Sequence, residues 1–257
     1  MKKIYYILLT VMVLCVACEF KLTKEIDSRT SVEVVRYDRL ESRYLTTGDF
    51  SALQQMNVDY PIVTRTLVEN VLKLGAVYEP DINSKFLNFY QDSILQTVIA
   101  DTETEYANMM DVNESLSSAF DKLQSLIPSV KKPEIYTLIG ALDQSIIVGD
   151  NYIGVCLDKY LGKDYPLYKK YYTAQQRESM SQEYIASDCV TFYLLSLYPL
   201  KDFEQRSQYE RDLHMGKIMY LANVVTGKNL FTTPYVKRAG KMKKALKNMS
   251  FEEFLKD

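Results

Sequence analysis

Three short runs rich in β-branched and aromatic residues lie close together in the middle of this chain: Ile135 to Ile139, Ile146 to Val148, and Tyr152 to Leu157. Such runs read as strands. Between the last two, Gly149-Asp150-Asn151 supplies residues that tolerate positive φ, which is a hairpin signal. Gly140 and Gly162 bound the region. The expectation is a small, largely antiparallel sheet. It constrains the whole chain, because most of the remaining sequence has a helical period and has to pack against it.

Ahead of the sheet, Val32 to Tyr37 has strand character, and Asp38 to Tyr44 reads as a short helix stopped by Gly48-Asp49. Phe50 to Met56 is helical, as is Ile62 to Leu74, which sets Val63, Leu67, Val68, Val71 and Leu74 on one stripe before Gly75. Asn83 to Asp92 and Ile94 to Met109 follow as helices. Asp111-Val-Asn-Glu114 reads as the capped start of another, which carries Leu116, Phe120, Leu123 and Ile127 and ends at Pro128. After the sheet, Thr173-Ala-Gln-Gln176 and Ser250-Phe-Glu-Glu253 are capping-box patterns. Helical sequence runs through Ile185, Cys189, Phe192 and Leu195 to Pro199. Glu204 to Val225 is a long helix with Met215, Ile218, Met219, Ala222 and Val225 inward, closed by Gly227, and Lys237 to Lys247 is basic and helical. The fold class is α+β, mainly α-helical with a small, largely antiparallel sheet.

The N-terminus sets the compartment. Lys2 and Lys3 precede a mostly apolar run, Ile4 to Val13, too short to span a bilayer and therefore read as a signal peptide. Leu14-Cys15-Val16-Ala17-Cys18 closes it in the manner of a bacterial lipobox, with Cys15 where Leu is usual. The expected organisation is a signal peptide over 1–17, a lipid-proximal polar tether over 18–31 and a single domain over 32–257. Cys18 is the expected lipidation site, carrying palmitate-type chains, and two or more chains give stable membrane attachment. Glu19 stands where an inner-membrane retention signal has Asp, which points to the outer membrane and its periplasmic face. Of the remaining cysteines, Cys156 and Cys189, an oxidising compartment permits a disulfide, and their apolar surroundings equally suit two buried thiols. A net charge of −2 argues against nucleic acid as a partner. With 21 Tyr, 10 Phe and no Trp, the chain has aromatic area with a hydroxyl at its tip, suited either to a core with semi-polar edges or to an aromatic surface.

Four segments resemble the gliding-motility lipoprotein B (GldB) family of Bacteroidota: Arg36-Tyr37-Asp38-Arg39, Ser145 to Tyr165 around Asp158-Lys159-Tyr160-Leu161-Gly162, Tyr184 to Val190, and Asp212 to Tyr220. The chain reads as a short, divergent member. The resemblance implies an envelope lipoprotein associated with gliding motility and secretion, with other cell-envelope proteins as partners. In that lineage Asp92-Ser93-Ile94 matches a short O-glycosylation pattern, which makes Ser93 a candidate modification site.

The order of small sheet, helix and second helix also resembles zinc peptidases in a degenerate form. Their chemistry needs two His one helical turn apart and a third ligand. The corresponding helix here reads Glu183-Tyr-Ile-Ala-Ser-Asp188, and the one histidine of the chain, His214, lies elsewhere. No serine-hydrolase elbow or Gly-rich phosphate loop is present. Asp212, His214 and Lys217 make a candidate polar cluster, and Asp158, Asp164 and Asp188 are candidate paired carboxylates. Lone helical histidines and loop aspartates are more often structural. Tyr165 to Tyr172 reads as an aromatic partner surface or as core with a lysine edge, and the basic helix from Lys237 as a lipid-headgroup contact or a solvated face. No catalytic residue, metal ligand or cofactor is assigned. The functional expectation is a non-catalytic envelope accessory. Its alternatives are a degenerate peptidase-like hydrolase and a surface glycan-binding lipoprotein.

Overall fold

The structure, a computed structural model, describes Val32 and residues 34–256. The expected signal peptide and tether, with Cys18, lie outside the described residues. From Val32 onward the chain forms one compact unit.

A four-stranded sheet runs in the order β1-β2-β4-β3, from Val34–Val35 (β1), Glu134–Leu138 (β2), Ile146–Gly149 (β3) and Tyr152–Cys156 (β4). The β3–β4 hairpin turns through Asp150-Asn151, with Asn151 at φ 64°, and pairs Gly149 with Tyr152. Gly149 leaves room there for the Tyr152 ring, which lies 2.0 Å from where a Cβ would sit. The other two pairings are parallel, β1 with β2 and β2 with β4. The sheet is therefore mixed rather than largely antiparallel. The hairpin folds β4 in between β2 and β3, and β1 joins β2 across the whole intervening helical half. Neither event leaves a local mark in sequence.

Both faces of the sheet are covered, as a parallel core requires. On one side Ile135, Ile146, Ile153 and Val155 pack with α6 (Met110–Leu126), α9 (Ile185–Leu197) and α10 (Gln208–Thr226). On the other, Leu138, Cys156, Tyr136 and Ile147 meet α1 (Tyr37–Thr47), α2 (Phe50–Asp59), α3 (Pro61–Arg65), α4 (Ile82–Phe89) and α5 (Ser93–Glu105). The helical expectations hold in outline. The strand expected over Val32 to Tyr37 shortens to two residues because Tyr37 already opens α1. The helix from Ile62 widens after α3 into a π-helical turn, Thr66–Val71, which keeps Val63, Leu67, Val68 and Val71 buried. Asp111 is not the cap of α6. Met109 takes that position and the Asn108 side chain accepts the Met110 N–H, leaving Asp111 in the first turn, where its charge still suits the helix dipole.

Downstream, α7 (Pro166–Tyr171) and α8 (Ala174–Arg177) lead to α9, with the Thr173/Gln176 capping box formed. The long helix starts at Gln208, later than Glu204, because Ser207 and Glu210 make a capping box that ends the preceding turn. Helix α10 packs against α6, α9, α11 (Pro234–Ala245) and α12 (Phe251–Leu255). Cys156 and Cys189 are both buried free thiols.

The approach of α10 to α11 depends on Gly216. A Cβ there would stand 2.7 Å from the Tyr235 carbonyl carbon and 2.8 Å from its oxygen, backbone atoms that cannot rotate aside. Gly216→Ala is expected to destabilise the protein by about 1–2 kcal/mol, since overpacking outweighs the better helix propensity of Ala. Urea denaturation of the two proteins checks this, and a stabilised variant would show that α11 yields freely.

Candidate functional site

The carboxyl ends of β2 and β4 lie side by side, and acidic side chains collect there. Asp38, Glu41 and Asp158 are 1%, 0% and 0% exposed. Asp38, in the first turn of α1, is paired with Arg36 at 2.7 Å and accepts the Thr137 hydroxyl. Glu41, one helical turn on, accepts the Ile139 N–H at 2.9 Å, while the Tyr90 hydroxyl donates to the Ile139 carbonyl at 2.5 Å. Burial raises Glu41 well above the usual carboxylate range, with the Asp158 and Asp38 charges adding to it and the Ile139 N–H opposing it.

Asp158 closes the other side. Its carboxylate accepts the N–H groups of Gly140 and Leu142 at 2.8 and 2.6 Å. Ala141 and Leu142 both have positive φ, 52° and 63°, a conformation that non-glycine residues adopt at a cost. Burial lifts Asp158 to about 6, and the two N–H bonds pull against that rise. The next two residues extend the same loop. Lys159 Nζ donates to the Leu142 carbonyl at 3.2 Å and lies 3.0 Å from the Tyr172 hydroxyl, which itself donates to Leu142 at 2.9 Å. The Tyr160 hydroxyl donates to Asp188 Oδ2 at 2.8 Å and is also hydrogen-bonded to Ser145.

Asp188, on α9, faces a cleft of about 340 Å³ lined by Ser145, Lys159, Tyr160, Tyr172, Gln176 and Met180 among others. Burial lifts its carboxyl to about 7, opposed by the Tyr160 hydroxyl. The cleft thus holds a carboxyl able to exchange a proton near neutral pH, bonded to one phenol and sharing the lining with a second phenol and a lysine. Among the described residues, no group of three or more His, Cys, Asp or Glu is placed to hold a metal ion.

Three of the four segments singled out in sequence converge on this place: Arg36 to Arg39, Asp158 to Gly162, and Tyr184 to Val190. Sequence reasoning missed Glu41, Tyr90 and Thr137. The proposed carboxylate set does not assemble, because Asp164 lies at the surface paired with Lys169 at 3.0 Å. Asp212, His214 and Lys217 likewise turn to three different elements. Asp212 accepts from Gln208 at 2.8 Å and from Tyr235 on α11. His214 is buried with Nε2 2.9 Å from the Tyr198 carbonyl at the end of α9, and the Lys217 ammonium stands 5.6 Å from the Phe254 ring centre on α12. Ser93 is exposed at the first position of α5, behind Asp92, whose side chain caps that helix. In the Tyr165 to Tyr172 run, the Tyr165 and Tyr168 hydroxyls reach Asp101 and the Asp158 carbonyl, while Lys169 and Lys170 are exposed.

Residues 19–232 match the family described as gliding motility protein GldB. The chain belongs to that family. No curated protein and no solved structure matches it. The matched span contains all three converging segments as well as Asp212 to Tyr220.

Two substitutions separate structural from titrating roles. Asp158→Ala leaves two N–H groups without their acceptor and is expected to cost roughly 2–5 kcal/mol, read as a drop in urea midpoint. Asp188→Asn keeps an acceptor for Tyr160 and removes the charge. The folded state holds the Asp188 proton more tightly than the unfolded chain, whose Asp has a pKa of about 3.9. The contribution of Asp188 to stability is therefore full below about pH 4 and falls to its lowest as pH rises through about 7. The Asn variant should be more stable than the parent by roughly 2–4 kcal/mol at pH 8, with the gain fading towards pH 4. A variant that is weaker at pH 8 would contradict the buried-carboxyl assignment.

Proposed function

We propose that the protein is a lipoprotein held through Cys18 at the periplasmic face of the outer membrane. There it acts as a non-catalytic accessory of the envelope in gliding motility or the secretion linked to it, through contacts with other envelope proteins. Family membership supports the lipoprotein and motility association. The outer-membrane location rests on the Ala17-Cys18-Glu19 sequence. The observation that carries the non-catalytic part is the use made of the buried acids. Asp38, Glu41 and Asp158 are engaged with Arg36, Thr137 and the backbone N–H groups of Ile139, Gly140 and Leu142, so their chemistry is spent on holding strand ends and a left-handed loop.

A second reading, a hydrolase working without metal, is favoured by one observation: the Asp188 carboxyl at about 7, bonded to Tyr160, in a cleft that Lys159 also lines.

In the accessory reading, labelled palmitate enters the parent chain and is lost in Cys18→Ser, and unchanged labelling would overturn the lipid anchor. Cells carrying Asp188→Asn should retain both the crosslinked envelope partners and the motility or secretion phenotype. Loss of the phenotype with partner capture intact would favour the hydrolase.

A further inference from the structure

We propose that the groove between α10 and α11 binds a single-chain anionic amphiphile, an alkyl chain carrying a carboxylate or phosphate headgroup. The groove has a volume of about 660 Å³. That lies within the range of about 300–1,000 Å³ that holds small-molecule ligands. Tyr220, Val224, Phe231 and Val236 give it apolar walls. Four lysines also line it, Lys228, Lys237, Lys241 and Lys244, and among the described residues no acidic one does.

Several surface lysines are ion-paired, and among the described residues those of the groove are not. Elsewhere Lys85, Lys163, Lys169 and Lys256 pair with Glu79, Glu178, Asp164 and Glu252. Among the described residues no ion pair reaches Lys237, Lys241 or Lys244, and the Lys228 ammonium donates to a backbone carbonyl, that of Glu183, at 3.3 Å. Lys237, Lys241 and Lys244 follow one another at four- and three-residue spacing, which stacks them on one helix face, where like charges repel. Lys237 also stands near the start of α11, whose first turn carries no acid, so the helix dipole disfavours its charge. The chain as a whole has a net charge of −2, so the positive excess is local.

Charge and shape together define the ligand. An anion without a chain leaves the apolar walls wet, and a neutral chain leaves the ammonium groups unneutralised. The site is preformed as well. Asn223 on α10 donates to the Phe231 carbonyl at 2.7 Å and accepts the Phe231 N–H at 3.1 Å, which pins the far wall in place before any ligand arrives. Lys237, Lys241 and Lys244 lie beyond the span 19–232 that matches the family, so family membership does not account for them.

The test uses the full chain with Cys18→Ser, purified without detergent and titrated by calorimetry. The probes are dodecanoate and lauroyl-lysophosphatidylglycerol below their micellar concentrations, dodecyltrimethylammonium, inorganic phosphate and a glutamate-rich peptide. Both anionic amphiphiles should bind saturably at one site. Lys237→Gln/Lys241→Gln/Lys244→Gln should weaken them by about tenfold or more with an unfolding midpoint no lower than the parent's, since all three side chains are exposed and their mutual repulsion is removed. Equal binding of the cationic amphiphile, binding of phosphate alone with the same affinity, or undiminished affinity in the triple variant would each overturn the proposal. Tighter binding of the acidic peptide than of dodecanoate would assign the groove to a protein partner instead.

Discussion

The central constraint on this structure is the bond pair from the Asp158 carboxylate to the N–H groups of Gly140 and Leu142. Strand β2 has to end, and the chain has to turn back as β3 with β4 lying between them. The turn runs through Ala141 and Leu142 in left-handed conformations, which leaves backbone donors pointing into the protein rather than into a ladder. Buried donors without partners are costly, and one ionisable carboxylate with two acceptor oxygens satisfies both. The charge needed for this is itself unfavourable in the interior, which is why Asp158 is lifted to about 6. The order of the sheet, the walls of the Asp188 cleft and the seating of α1 follow from that turn being held.

The high tyrosine content has the same origin. The ends of parallel strands and short helical turns expose carbonyl groups inside the protein, and a phenol is long enough to reach one while its ring packs as core. Tyr90 donates to Ile139, Tyr106 to Tyr160, Tyr168 to Asp158, Tyr172 to Leu142 and Tyr193 to Lys131, in each case to the backbone carbonyl. Tryptophan offers a donor at a shorter reach and a bulkier ring, and phenylalanine offers none. Of the two uses that composition allowed, a semi-polar core edge is the one these residues serve.

Legibility of the candidate site followed chemistry more than spacing. The segment Asp158-Lys159-Tyr160 stood out, and its side chains prove to hold the Gly140 to Leu142 loop from two sides and to reach the Asp188 carboxyl. Glu41 did not stand out, because a Glu on a short helix with charged neighbours looks like any solvated face. Its burial depends on α1 lying across the sheet end. Asp212, His214 and Lys217 show the converse. Their proximity in sequence implied a cluster, but the two-residue step from Asp212 to His214 turns those side chains to different faces, and Lys217, though one turn from His214, reaches towards Phe254. Each therefore meets a different neighbour.

By itself the sequence determined the local features: the helices and their caps at Thr173 and Ser250, the Gly149-Asp150-Asn151 hairpin, the α+β class and the family. These depend on residues a few positions apart, where φ preferences, capping bonds and hydrophobic period act. Tertiary structure alone decided the parallel pairing of β2 with β4, the addition of β1 to their edge, the burial of Glu41 and the meeting of three distant segments at one sheet end. Strand partners are chosen by which arrangement buries both faces and satisfies every backbone donor at once. That condition involves the whole chain, so no window of sequence contains it.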